Sequence, residues 1–488
     1  MWHEVKARKR SNNAKNTVDF LAMRVGFGAV KVVKKTIWQK NGGWFYRNMY
    51  FCIFISRLKM AKKIQDPDFW YSLLLPYVNH HTRRAYRRFE VHGKENLPRK
   101  SATVFGVNHS NTLMDALVLL AADNIKKVFI ARGDIFKNPI VAKILTFLRI
   151  LPIFRIRNGV AAVRQNDDSL NKAVDVLHDH VDLYLFPEGT HRTKHSLMRM
   201  GKGLFHIAVD ANKQFGDKMP VFIIPTAIEY GDYFRFRSTA MINFGPPINV
   251  TEFLKQTTEE NEAVNINLLK DRLHDEIAKL FTYIPDDEDY NAIWEIVKMK
   301  NEKRAGGLYQ KMLRNRETVD KVLKYREEQP EEAKRLFERV LDFAQERVRQ
   351  KISVTSTAKK YPFLNSLWKF ALLLVGLPYF VASAVVNFPV WLTTLIIRGK
   401  LKDPAFGNTV SFGVELVLFP LIFIIGTILF FCNLPWLWAL CATVLLYFSY
   451  VLFVDYLELL RRAVSDVRWC FKTKLRKFYK SLNLNNLF

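Results

Sequence analysis

The sequence predicts an α/β domain, a mixed sheet flanked by helices, joined to a helical subdomain and to C-terminal transmembrane helices. Between residues 64 and 250, short apolar runs alternate with helix-periodic stretches, the pattern of a sheet covered by helices. Long, charged, helix-forming stretches then fill residues 251–358, and uninterrupted apolar stretches dominate residues 359–488. Two of these are long enough to cross a bilayer, which takes about 20 residues.

The chain carries 74 Lys and Arg against 46 Asp and Glu, a net charge of +28, with 49% hydrophobic residues. Such a basic balance attracts nucleic acid, anionic headgroups or phosphorylated metabolites. The apolar stretches point to membrane lipid, and no nucleic-acid motif is present, so nucleic acid is not an expected partner. Cys52, Cys432, Cys441 and Cys470 lie far apart or inside apolar stretches. They match neither a metal-ligand spacing nor a disulfide framework. A reduced, cytosol-facing catalytic part without a metal is the expectation.

Residues 1–63 read as a basic amphipathic leader. Trp44 to Ile55 is rich in aromatics but interrupted by Arg47, which suits a helix lying in the membrane interface better than a span. Met60 offers an alternative start, in which case the leader would not be native.

Within 64–250, "SATVFGV", "KKVFIA", "VDLYLF", "VFIIPTAIEY" and "TAMINFG" read as strands. Leu170, Ala173, Val174 and Leu177 recur at helical spacing. Pro225, inside the fourth apolar run, suggests a strand end or an irregularity. In 251–358, Leu336, Val340, Leu341 and Ala344 mark an apolar stripe beside a charged face. This region reads as a solvated helical subdomain or, alternatively, as a lid over a substrate groove.

In 359–488, spans are expected at about 412–432 and 434–454. Arg398, Lys400 and Lys402 precede the pair, and Arg461, Arg462, Arg468, Lys472 and Lys474 follow it in a basic tail. Both ends of this pair should therefore face the cytoplasm. The earlier segment, about 370–397, is interrupted by Pro378, Asn387 and Pro389. A shallow re-entrant hairpin is expected there rather than one straight helix.

The chemistry centres on "NHSNTLMDAL", in which His109 precedes Asp115. Ser110, Asn111 and Thr112 are good N-caps, so a helix should begin near Leu113. His109 then sits on the loop before it, and Asp115 near a helix N-terminus that favours negative charge. A carboxylate on one imidazole nitrogen fixes the tautomer and leaves the other nitrogen to take a proton. The same pattern also occurs as a plain turn histidine and a first-turn aspartate. Further on, "LFPEGTHR" places Glu188, Gly189 and Arg192 on a tight turn after an apolar strand. Gly189 permits close backbone approach, and Arg192 can grip a phosphate with two parallel hydrogen bonds. "LPIFRIRNG" adds Arg155 and Arg157.

Taken in order, these blocks resemble the glycerophospholipid acyltransferases, across about Asn108 to Glu229. Asn108-His109 with Asp115 looks like the first family block, Ile153-Phe154-Arg155 the second, Phe186-Pro187-Glu188-Gly189-Thr190 the third, and Ile223-Ile224-Pro225 the fourth. Two features depart from the family pattern: five residues rather than four separate His109 from Asp115, and His191 stands before Arg192. The longer spacing is similar to that of one branch of the family.

The resemblance implies acyl transfer without a covalent enzyme intermediate, with His109 as base and Asp115 as its orienting partner. Arg155, Glu188, Gly189, Thr190 and Arg192 would hold the acceptor's phosphate. The donor would be acyl-CoA or acyl carrier protein, with no cofactor of the enzyme's own. The acceptor would be 1-acyl-sn-glycerol-3-phosphate, giving phosphatidate, or else glycerol 3-phosphate, another lysolipid or an amino-acid lipid. A non-catalytic lipid-binding membrane protein is the alternative of a different class. An integral protein of the inner (plasma) membrane, with its site facing the cytoplasm, is the expected setting.

Overall fold

The computed structural model describes residues 63–488 apart from 99, 154–159, 258–260, 303–305, 360 and 402. The chain divides into two compact units, Met1–Asp66 and Pro67–Phe488. Of the first, only residues 63–66 are described, so the expected leader falls almost wholly outside the described residues.

The second unit is built on an eight-stranded sheet: β1 (Tyr86–His92), β2 (Ala102–Val107), β3 (Val128–Arg132), β4 (Ile150–Ile153), β5 (Leu183–Leu185), β6 (Val221–Tyr230), β7 (Ser238–Phe244) and β8 (Ile248–Asn249). Its order is β1-β7-β6-β2-β5-β3-β4, with β8 also on β6. Pairing is parallel except where β6 meets β7 and β8, so the sheet is mixed. Every residue of β2 is buried, and a strand covered on both faces reads as a continuous apolar run.

One face is covered by helices α4 (Val160–His178), α5 (Gly203–Phe215) and α7 (Glu262–Ala278), α3 being Pro139–Phe147 between β3 and β4. Leu273 of α7 and Leu204 of α5 press onto Gly106 of β2 so closely that a Cβ there would lie 2.6 Å from Leu273. The other face buries Phe105 and Val107 against Met114 and Val118 of α2 (Thr112–Leu120). Phe412, Phe419 and Tyr450, all from the apolar C-terminal helices, join the same core. The α/β domain and those helices thus share one hydrophobic interior. Helix α1 (Phe69–Arg84) ties them further, through Tyr77 to the Leu416 carbonyl at 2.5 Å.

Several expectations are corrected. Pro225 lies inside the ten-residue β6 rather than at its end. Its carbonyl accepts from Gly245 at 2.8 Å, on the edge where β6 changes partner from β8 to β7. Residue 225 returns no amide to Gly245, so this pair makes one bond instead of two, at the point where the β6–β7 ladder ends. The boundary expected at residue 250 is also too early. Helices α6 (Val250–Gln256) and α7 pack on the sheet, with Leu269, Leu273 and Ile277 fully buried.

A separate core begins at Ile284 and unites α8 (Tyr290–Asn301), α9 (Leu308–Glu328) and α10 (Pro330–Arg349). Trp469, Leu475, Leu482 and Leu484 belong to it too. The basic C-terminal segment is therefore folded back into the helical subdomain rather than a free tail.

Among the described residues, three helical segments are long and apolar enough to cross a membrane, Pro362–Gly399, Pro404–Asn433 and Trp436–Phe471, and their most apolar stretches have mean hydropathies of 2.0, 2.6 and 2.1. We label their α-helical parts α12 (Pro362–Gly399), α13 (Gly407–Asn433) and α14 (Trp436–Phe471), α11 being the short Val354–Thr357. The segment at about 370–397, expected as a shallow re-entrant hairpin rather than one straight helix, is one continuous helix through Pro378 and Pro389.

That helix is not straight. Lys369 meets Asp466 at 2.6 Å, Tyr379 the Leu445 carbonyl at 2.7 Å, and Asn387 meets Ser449 at 2.9 Å, while Arg398 sits over Gly407 at the start of α13. From Lys369, a straight helix antiparallel to α14 would put Arg398 about 43 Å further on, near the start of α14. Gly407 belongs at the opposite level, because α13 runs antiparallel to α14 with Phe419 beside Tyr450 and Phe423 beside Tyr447. The helix bends back through its proline-bearing middle, a re-entrant course made by one unbroken helix rather than two.

Candidate functional site

The site forms where β2 ends. Beyond Val107 the strand leaves β6, and the Asn108 side chain replaces the lost rungs. Its Nδ2 donates to the Ile228 carbonyl at 3.1 Å, and its Oδ1 accepts from the Ile228 amide at 2.7 Å. Asn108 is thus a structural pin that fixes where His109 leaves the sheet.

Asp115 lies in the first turn of α2 and is fully buried. Its Oδ2 pairs with His109 Nδ1 at 2.8 Å and accepts the amides of Ser110 at 2.8 Å and Asn111 at 2.7 Å. Its Oδ1 accepts from Tyr230 Oη at 2.7 Å. The five-residue spacing is absorbed by residues 110 and 111, which wrap their amides around the carboxylate. A buried carboxylate surrounded by donors stays an acceptor, so His109 presents Nδ1–H to it and leaves Nε2 for a ligand. The His109 ring stacks on Phe186 at 4.4 Å between centroids.

The turn after β5 clamps the histidine from the other side. Glu188 Oε1 accepts the His109 amide at 2.9 Å, and its Oε2 accepts the Met198 amide at 3.0 Å. The His109 carbonyl accepts from the Arg192 amide at 3.1 Å. Gly189 has φ 66°, a left-handed conformation that glycine adopts without a Cβ penalty. Thr190 is exposed on the turn.

Glu188 therefore does not reach for a phosphate. Both its oxygens are spent on backbone amides. The family resemblance placed it among the phosphate ligands, and a matched motif does not show where a side chain points. Arg155, another expected phosphate ligand, lies outside the described residues. Arg192 pairs with Asp286 and with Ser196 Oγ at 2.9 Å, and Lys194 meets Asp286 at 2.7 Å.

Burial pushes the Glu188 carboxyl up to about 7, against the lowering effect of its two amide hydrogen bonds. The folded protein thus holds this proton more tightly than the unfolded chain between about pH 4.5 and 7. Raising the pH through that window strips the unfolded chain first and lowers stability. The expected result for Glu188→Gln is a stability, relative to wild type, that rises as pH is raised from 5 to 7. Thermal melts at four pH values check the slope, whatever constant offset the amide introduces.

A strap crosses this site. His191 Nε2 meets Asp403 Oδ2 at 3.2 Å, in the linker between α12 and α13. Its ring stands edge-on to His109 and to Phe406, at 5.8 and 5.6 Å between centroids. On the far side, Thr112 Oγ1 and Thr409 Oγ1 are 3.0 Å apart. Thr112 has φ 49°, a costly conformation for a β-branched residue. The segment 403–409 is thus tied to His191, which stands beside His109, and to Thr112, three residues beyond it.

Tyr230, Asp286 and Asp403 were not foreseen from the sequence. Tyr230 had a signal, since it ends a strand parallel to β2 at the edge where His109 emerges. The two aspartates had none. Among the described residues, no group of three or more His, Cys, Asp or Glu is placed to share a metal ion.

Comparison with known proteins matches residues 88–229 to the acyltransferase family model. The chain is 25% identical over 161 residues to the chloroplast 1-acyl-sn-glycerol-3-phosphate acyltransferase LPAT1 of Arabidopsis thaliana, covering 33% of this chain and 41% of that protein. It is 25% identical over 167 residues to the 1-acyl-sn-glycerol-3-phosphate acyltransferase of Limnanthes alba, covering 34% of this chain and 56% of that one. Both matches span less than two thirds of these curated relatives. Among solved structures, the 1-acyl-sn-glycerophosphate acyltransferase PlsC of Thermotoga maritima is similar at 22% identity and a TM-score of 0.31, covering 47% of this chain and 88% of that one.

Proposed function

Taking residues 88–229 as an acyltransferase-family domain, we propose that the protein moves an acyl group from acyl-CoA or acyl carrier protein to the free hydroxyl of 1-acyl-sn-glycerol-3-phosphate. The observation that carries this reading is the His109–Asp115 pair, with Nδ1 held at 2.8 Å by a buried carboxylate and Nε2 left to act. His109 Nε2 takes the hydroxyl proton as the oxygen attacks the thioester carbonyl. Asp115 stabilises the imidazolium that forms. The tetrahedral intermediate then expels the thiolate, which recovers a proton, and no acyl-enzyme is needed.

The setting supports a lipid acceptor. The strap that meets His191, beside His109, joins two helices long and apolar enough for a membrane, so an acyl chain in the bilayer would lie near the base. Arg461, Arg462 and Arg468 of α14, with Arg398 and Lys400 near the strap, would face the cytoplasm of the inner membrane and bring the site with them.

Arg192 would hold the acceptor's phosphate. Arg192→Ala is expected to raise acceptor KM roughly ten- to hundred-fold, the worth of charge-assisted hydrogen bonds. Saturation curves with 1-acyl-sn-glycerol-3-phosphate check this, and an unchanged KM would remove Arg192 from the site. Purified full chain in detergent, given both donors and a panel of acceptors, tests the reading as a whole. Preference for glycerol 3-phosphate would move it to the first acylation step, and turnover with none of the acceptors would reject it.

A further inference from the structure

Arg192 and Lys194 leave the same turn and converge on one carboxylate. Asp286 offers Oδ2 to Arg192 and Oδ1 to Lys194, the latter at 2.7 Å. Each oxygen takes one cation, the arrangement that two oxygens of a phosphate monoester would adopt. Ser196 Oγ steadies the Arg192 guanidinium at 2.9 Å. The Arg192 amide donates to the His109 carbonyl at 3.1 Å, which fixes the turn that carries the guanidinium beside the backbone of the base.

Asp286 comes from beyond residues 88–229, on the segment where the Ile284 amide bonds the His195 carbonyl at 2.7 Å. The Lys194 hydrogen bond, then that of Arg192, holds its carboxyl below the usual range, so it is an anion at neutral pH. The neighbouring His191 likewise meets a carboxylate from outside the matched domain, Asp403.

We propose that Asp286 occupies the position of the acceptor's phosphate in the ligand-free protein and is displaced when the acceptor binds. This rests on the reading of the site as one for a phosphate-bearing acceptor. Asp286 is partly exposed, and an exposed ion pair of this kind is weak. A dianion carried by a lipid already in the membrane displaces it. Free inorganic phosphate, with no acyl chain to add binding, displaces it poorly. Asp286 thereby weakens every phosphate ligand by the same factor, which leaves the membrane-borne acceptor bound and the soluble anion, weaker to begin with, largely unbound.

The test uses the full chain in detergent, as wild type, Asp286→Asn, Asp286→Ser and Arg192→Ala. Removing the competing carboxylate is expected to strengthen inhibition by inorganic phosphate and to lower KM for 1-acyl-sn-glycerol-3-phosphate, each about five-fold. KM for the phosphate-free 1-acylglycerol should not follow. A merely structural ion pair gives the opposite sign, since its loss loosens Arg192 and raises KM as Arg192→Ala does. Raised KM in both Asp286 variants, or equal shifts for the two acceptors, overturns the proposal. If Arg192→Ala itself leaves KM for the phosphate acceptor unchanged, the phosphate reading falls, and this inference falls with it.

Discussion

His109→Ala is expected to lower acyl transfer at least about 100-fold, the usual minimum contribution of a positioned general base. The protein should still fold. What holds residue 109 in place is its backbone, through the amide to Glu188 at 2.9 Å and the carbonyl from the Arg192 amide at 3.1 Å, and alanine keeps both. The ring leaves an imidazole-sized gap against Phe186 at a partly exposed position, so little core packing is lost. Turnover and thermal melting measured on the same preparation check the two halves together. Lost activity with an unchanged melt is the signature of a chemical role.

Asp115→Ala should be the more damaging substitution, because it removes both a catalytic partner and a structural acceptor. Besides the imidazole, the carboxylate satisfies the amides of Ser110 and Asn111 and the hydroxyl of Tyr230. Leaving buried donors unsatisfied costs about 1–3 kcal/mol each, so roughly 3 kcal/mol or more of stability should go with the activity.

Asp115→Asn separates the two effects. Three donors converge on the Oδ2 position, so the amide oxygen must take it, and the amide nitrogen then faces the Tyr230 hydroxyl, which can accept. The Nδ1–H tautomer of His109 survives, while the negative charge that steadies the imidazolium does not. The asparagine variant is therefore expected to melt near wild type and to lose about 10- to 100-fold in turnover. Equal destabilisation in the two variants would show that the carboxylate's charge, rather than its hydrogen bonds, holds the loop.

Much of the sheet was legible because its inner strands are covered on both faces. β2, β3, β5, β6 and β7 each read as an apolar run bounded by polar turns. β1 did not, since it is an edge strand whose Arg87 and Arg88 are exposed. Helix α7 was assigned to the wrong layer because its charged face hides a stripe that only the sheet explains.

Within the site, the local relation of His109 to Asp115 followed from helix-capping chemistry. Long-range partners did not. Nothing in residues 186–192 announces that Glu188 turns inward to His109, 79 residues earlier. Nor does the turn reveal that Arg192 and His191 are met by Asp286 and Asp403, 94 and 212 residues away. Such pairings are set by how the helical subdomain and the bent α12 return to the active edge of the sheet, which no local pattern encodes.

The central claim is direct proton abstraction by His109 from a lipid-borne hydroxyl. Its most direct measurement is the transfer of labelled acyl groups to 1-acyl-sn-glycerol-3-phosphate by purified full-length protein, wild type beside His109→Ala, with the product identified by mass. The expected result is phosphatidate from the wild type, no labelled acyl-enzyme on quenching, and at least about 100-fold less product from the variant. Comparable product from both proteins, or a labelled acyl group attached to the protein in mid-turnover, would contradict it.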